Sequence, residues 1–182
     1  MERSKHYRFH QGQKTLPFSD TEYEVRLAKL RARMVTIGID ACVLTSIHNV
    51  AYYSGFLYCA FGRPYAQVVT ATDTCTFSAG IDAAQPWRRG FGDNITYTDW
   101  QRNNYWRAIE SVTGTGTVIG FEGDHISHTQ LGFLDEFLSP SAKKDIAPIT
   151  MTLRMHKSTA EIELIRAGST TADVGGYAIK EA

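Results

Sequence analysis

The sequence predicts an α/β domain of three layers, α/β/α, built on a mixed sheet of about five to six strands. Two observations predict it. Segments with helical period alternate with short apolar runs along most of the chain, the pattern of helices packed on the faces of a sheet. In addition, two strand-like runs, Tyr65 to Thr70 and Thr74 to Ser78, are separated only by Ala71-Thr72-Asp73. So short a connection makes an antiparallel pair and forbids a purely parallel sheet.

The first helix opens at a capping box, Ser19-Asp20-Thr21-Glu22. There a hydroxyl and a carboxylate are expected to satisfy free backbone N–H groups reciprocally, with Phe18 and Tyr23 placed as a hydrophobic staple. Val25, Leu27, Leu30, Met34 and Ile37 give the apolar stripe, and Gly38 supplies the stop. Ala41 to Thr45 is a continuous apolar run, as in a strand buried on both faces. Residues 47–53 read as a short helix ended by Ser54-Gly55. After the hairpin come a strand from Ile95 to Thr98, a helix from about Gln101 to Val112 and a strand from Thr117 to Phe121. A second capping box, Ser127 to Gln130, opens a helix to about Leu138. Asp145 to Ile149 is expected as a last short strand. A third box, Ser158 to Glu161, starts a helical stretch that runs to Ala182. Ile162, Ile165, Ser169, Ala172, Gly176 and Ile179 share one face of it. Gly168, Gly175 and Gly176 would each weaken an exposed helix by up to ~1 kcal/mol relative to Ala, so they make sense where another element packs closely.

At 182 residues the chain suits one domain, and 43% apolar with 21% charged residues excludes bulk disorder. Nineteen basic and nineteen acidic side chains cancel, which argues against nucleic acid or an anionic membrane as partner. No apolar run has the length of a signal core or a membrane helix, so the expected address is the cytoplasm. Cys42, Cys59 and Cys75 form no Cys-x-x-Cys motif and are expected to be reduced and structural.

Motifs for catalysis are missing: there is no nucleophile elbow, phosphate loop or HExxH. Asp124, His125 and His128 could ligate a metal by spacing, but His128 falls inside a capping box, and no cofactor is called for. The unusual segment is Tyr52 to Tyr65, densely aromatic, with Arg63 set between Gly62 and Pro64. A cation on a loop of restricted backbone can offer a planar fork to a carboxylate, and Phe61 beside it could form an apolar wall. The plainer alternative is that these aromatics fill the core and the arginine is solvated. Downstream, Gln85-Pro86-Trp87-Arg88-Arg89 adds an exposed-looking aromatic and two cations.

These stretches carry a resemblance. Thr45-Ser46-Ile47-His48-Asn49, the run Tyr52 to Tyr65, Gln85 to Arg89 and Asp93 to Arg102 resemble the N-terminal domain of creatinases, within the creatinase/prolidase/aminopeptidase P superfamily. Arg154-Met155-His156-Lys157-Ser158 and the helix through Arg166 resemble the superfamily's linker into a catalytic domain. The resemblance implies residues 1–155 as a creatinase N-terminal-like domain and 156–182 as a linker helix leading into a pita-bread catalytic domain that lies outside this chain. It implies hydrolysis of creatine, or a similar small guanidino acid, to sarcosine and urea by a metal-free homodimer. The acid/base histidine would belong to the catalytic domain, so the chain alone is expected to be inactive. By motif position Arg63 would bind the substrate carboxylate and Phe61 would line the pocket, both reaching the neighbouring subunit. Two other readings remain: the matching domain of a prolidase or aminopeptidase P metallopeptidase, and a stand-alone binding or oligomerisation module.

Overall fold

A computed structural model describes residues 3–58 and 62–181. In chain order its elements are β1 (His6–Arg8), α1 (Asp20–Ile37), β2 (Ala41–Leu44), α2 (Ile47–Ser54), β3 (Ala66–Thr70), β4 (Thr74–Ala79), α3 (Ala84–Arg89), β5 (Asp93–Tyr97), α4 (Asn104–Thr113), β6 (Val118–Phe121), α5 (His128–Leu138), β7 (Ala142–Asp145), α6 (Ala147–Met155) and α7 (Thr159–Glu181). The strands form one mixed sheet in the order β1-β5-β4-β3-β2-β6-β7. The hairpin β3/β4 is antiparallel, as its three-residue connection requires, while β2 with β6 and β4 with β5 are parallel.

Alternation along the strands divides the core in two. Cys42 and Leu44 of β2 face Leu27, Leu30 and Met34 of α1, Tyr53 of α2 and Ile146. Ala41 and Val43 face the other way, toward Trp106 and Ile109 of α4 and Leu134 and Leu138 of α5. Both faces of β2 are therefore covered, which explains why its sequence shows no polar alternation.

Several elements differ from expectation. The sheet has seven strands rather than five or six, because His6–Arg8 adds an edge antiparallel to β5. The final strand is Ala142–Asp145, not 145–149. Asp145 Oδ1 accepts the Ala147 N–H (2.9 Å) and Pro148 stands in the first turn of α6, so the chain is already helical there. Residues 84–89 form a helix. On α1 the buried stripe is Tyr23, Arg26, Leu27, Leu30 and Met34, whereas Val25 is 45% exposed. The first capping box is half formed: Ser19 Oγ accepts the Glu22 N–H (3.3 Å), but the Glu22 carboxylate turns to Arg26 Nε (3.0 Å).

Arg26 explains that turn. Its guanidinium lies 4.3 Å from the ring centroid of Phe18 and 4.4 Å from that of Tyr52, donates to the Tyr52 carbonyl (2.9 Å) and sits 3.6 Å from Glu161. Glu161 in turn completes the third capping box, accepting the Ser158 N–H at 2.9 Å. A buried arginine thus fixes the point from which α7 leaves the domain. From Leu164 onward α7 is exposed, and its three glycines have open space where a Cβ would be.

A carboxylate is buried at Glu122, 1% exposed, just after β6. Its carboxylate accepts the backbone N–H groups of Thr45 and Ser46, the Ser46 hydroxyl and Asn49 Nδ2. Those donors form the end of β2 and the first turn of α2, where a negative charge is favoured. Asn49 also reaches Thr150 Oγ1 of α6 (3.1 Å). Glu122→Ala strands several buried donors and is expected to lower stability by roughly 2–4 kcal/mol in urea unfolding, with an unchanged denaturant slope.

Candidate substrate-contact site

The carboxyl ends of β2, β4, β5 and β6 and the start of β3 share one edge of the sheet, as their pairing directions dictate. In open α/β sheets this edge is where ligands bind. Arg63, Asp82, Asp99 and His125 all lie in the loops gathered there.

The Arg63 loop is held from beneath. Gly62 takes φ 77°, a left-handed conformation that a side chain would strain, so glycine suits the turn. The Pro64 carbonyl accepts the Tyr97 hydroxyl at 2.9 Å, and the Tyr65 carbonyl accepts the Tyr105 hydroxyl at 3.2 Å. The Tyr65 hydroxyl donates to Asp82. Tyr58 stacks on Tyr65 with centroids 4.5 Å apart, and its hydroxyl donates to the Thr45 carbonyl at 2.8 Å. Aromatic groups therefore both pack and hydrogen-bond the backbone beside Arg63.

Arg63 itself points outward, with half of its side chain exposed, and Nη1 donates to Asp99 Oδ1 at 3.0 Å. It borders two hollows. One, of about 250 Å³, is walled by Tyr58, Tyr65, Trp106 and Ile126, with His125 at its rim. The other, of about 350 Å³, is polar and includes Asp99 and Arg102. Thr45 Oγ1 and His125 Nδ1 lie 3.0 Å apart.

Of the residues singled out from the sequence, Arg63 is partly exposed on this edge. Phe61 and Cys59 lie outside the described residues. Tyr53, Phe56 and Tyr65 are core or near-core, so the plainer reading of the aromatic run holds for them. Trp87 is not the exposed aromatic its surroundings suggested: the His10 ring lies tilted against it with centroids 4.4 Å apart and Lys14 covers it at 4.0 Å. It lies on α3, under the N-terminal segment. Among the described residues no group of three His, Cys, Asp or Glu side chains could hold a metal ion. Cys42 and Cys75 are buried free thiols, and burial pushes both up to about 12. Among the described residues no helix is long and apolar enough to cross a membrane. Sequence reasoning missed Asp99, Tyr97 and Tyr105 as supports of the arginine. Their only signal was that Tyr97 and Asp99 fall in the Asp93 to Arg102 stretch.

The family model of the Creatinase/Prolidase N-terminal domain matches residues 26–156. The chain belongs to the creatinase/prolidase N-terminal domain family. A protein named creatinase from Bacillus sp. (strain B-0618) is 43% identical over 176 residues, 94% of this chain. The chain spans only 43% of that relative's length. Solved structures share the fold of this creatinase/prolidase N-terminal domain. The prolidase from Pyrococcus horikoshii OT3 aligns with TM-score 0.71 at 18% identity, covering 87% of this chain and 43% of its own. The creatinase/prolidase N-terminal domain of an X-Pro dipeptidase from Streptococcus pyogenes aligns with TM-score 0.63 at 17% identity, over 70% of this chain and 98% of its own.

The tyrosines around Arg63 give this domain a distinctive alkaline behaviour. Burial, then the charge of Glu122, pushes Tyr58 up to about 12. Burial first, then Asp82 for Tyr65 and Asp99 for Tyr97, raises those phenols too, and burial raises Tyr105 well above 10. A raised folded value means that folding favours the neutral phenol. The stabilisation is complete below pH 10 and is lost as pH climbs through 12. Phenolate absorbance is expected to lag that of the urea-unfolded chain between pH 10 and 12, and unfolding temperature to fall across the same window.

Proposed function

We propose that this chain is the substrate-capping and dimerisation domain of an enzyme that hydrolyses creatine, with water, to sarcosine and urea. The observation that carries the reading is the 43% identity to a creatinase across 94% of the chain. The prolidase and dipeptidase structures, at 15–20% identity, bear on the fold alone. In this reading α7 is the link to the catalytic domain, and the apolar residues and glycines along it meet that domain. The intact enzyme is a homodimer, and each N-terminal domain closes over its neighbour's active site.

The chemistry assigned to this chain is binding. Creatine carries a guanidinium at one end and a carboxylate at the other. Hydrolysis requires both ends to be fixed while water attacks the guanidinium carbon, so a carboxylate clamp contributes orientation. Arg63 is that clamp, a charged planar fork on a loop pinned through the Pro64 and Tyr65 carbonyls, and Phe61 is assigned to the pocket lining by its motif position alone. The groups that move protons belong to the catalytic domain. The purified 182-residue chain is expected to release no urea from creatine; release in a coupled urea assay would overturn the division of labour.

In the full-length enzyme, Arg63→Lys is expected to raise KM for creatine about tenfold, because a point charge replaces a bidentate fork. Thermal unfolding should hold within a degree or two. An unchanged KM would remove Arg63 from the site. Metal-ligand Asp, His and Glu residues in the reading frame beyond Ala182 would instead favour a peptidase.

A further inference from the structure

Arg63 is held twice, and the second hold is made by a side chain that the family resemblance gives no role. The tyrosine hydroxyls fix its backbone. Its guanidinium is a separate matter, since a long exposed side chain on a fixed backbone still samples many rotamers. Among the described residues its one polar partner is Asp99, through Nη1 at 3.0 Å. That contact engages the end of the fork and leaves the edge formed by Nε and Nη2 for a second carboxylate.

Asp99 is well placed to hold a neighbour because its own loop is braced on both sides. The Thr98 N–H donates to the Lys5 carbonyl (2.9 Å), Thr98 Oγ1 donates to the Ser4 carbonyl (2.9 Å), and Trp100 Nε1 donates to the same carbonyl (2.7 Å). From the other side, Asn104 Nδ2 of α4 donates to the Thr98 carbonyl at 3.1 Å. None of these bonds uses the Asp99 carboxylate, which is 41% exposed and directed at Arg63. The loop is thus built without Asp99, and Asp99 is free to act on the arginine.

We propose that Asp99 is a positioning residue: it locks the Arg63 guanidinium with its Nε–Nη2 edge presented to the substrate carboxylate. The proposal rests on the reading of Arg63 as the carboxylate clamp. Asp99 does not touch substrate. It removes rotamer freedom from Arg63 before binding, so that less is lost when the substrate carboxylate arrives. The opposite role is also chemically definite: Asp99 could compete with substrate for the fork. The two roles move KM in opposite directions.

Two measurements test this. In the 182-residue chain, the 15N heteronuclear NOE of Arg63 Nε is expected to fall in Asp99→Ala, with partial recovery in Asp99→Asn, whose amide oxygen can still accept from Nη1. An unchanged NOE overturns the lock whatever Arg63 does in catalysis. In the full-length enzyme, Asp99→Ala is expected to raise KM for creatine about two- to fivefold, the range for one exposed ion pair, with kcat falling less. Asp99→Asn should lie between Asp99→Ala and the parent, with all unfolding temperatures matched. A lower KM would make Asp99 a competitor and overturn the proposal.

The double variant separates the two readings. In an Arg63→Ala background, Asp99→Ala should add nothing, because its effect passes through Arg63. An undiminished effect there would show that Asp99 acts by another route. If Arg63→Ala alone leaves KM unchanged, the clamp reading fails, and the NOE result still decides whether Asp99 orders the side chain.

Discussion

The Glu122 carboxylate is the contact on which the rest of the site edge depends. Where β2 ends and α2 begins, the chain turns sharply and leaves the Thr45 and Ser46 N–H groups buried without strand or helix partners. A carboxylate from the end of β6, the neighbouring parallel strand, receives both, together with the Ser46 hydroxyl and the Asn49 amide. One side chain therefore ties β2, β6 and α2 together, and Asn49 extends the tie to Thr150 on α6. The Thr45 carbonyl that anchors Tyr58, and the Thr45 hydroxyl beside His125, take their places from this arrangement.

Aromatic hydroxyls continue the same logic toward solvent. Tyr58, Tyr97 and Tyr105 each present a large apolar body to the interior and one hydrogen bond to a carbonyl of a connecting loop. Burial thus supplies adhesion, and the hydroxyl supplies register. An exposed arginine mounted on such a loop has a fixed origin, and Asp99 acts at its far end. Arg26 is a contrasting use of the same residue type. There the cation is buried among Phe18 and Tyr52 and meets two carboxylates, Glu22 and Glu161, so that it sets the root of a helix rather than meeting a ligand.

Much of the architecture was legible because its signals are local. The N-cap serines at 19, 127 and 158 accept the expected N–H groups, and Gly38 ends α1 in the left-handed conformation. β2 was readable as a strand buried on both faces. What escaped was held by backbone pairing or by distant partners. Ala142-Lys143-Lys144-Asp145 has no apolar alternation because β7 is an exposed edge, and His6–Arg8 joins the sheet with basic side chains that suggest no strand. Arg26 on a helical stripe looks like a surface residue until Phe18, Tyr52 and Glu161 surround it. The site showed the same division. Arg63 stood out between Gly62 and Pro64, but Asp99 lies 36 positions away and becomes its neighbour only when β5 docks beside β4.

The N-terminal strand has a consequence in time as well as in space. β1 precedes the residues 26–156 that define the family, and its partner β5 lies about ninety positions later, as the His6–Tyr97 pairing records. At synthesis rates of roughly 5–20 residues per second, residues 4–8 emerge about 5–20 s before that partner exists. Contacts of such high sequence separation also close late in refolding, after the local helices and the β3/β4 hairpin. The Ser4 and Lys5 carbonyls that brace the 98–100 loop can reach it only at that stage. The brace beside Arg63 therefore waits for β5, so a nascent chain has α1, β2 and the β3/β4 hairpin before it has an aligned clamp.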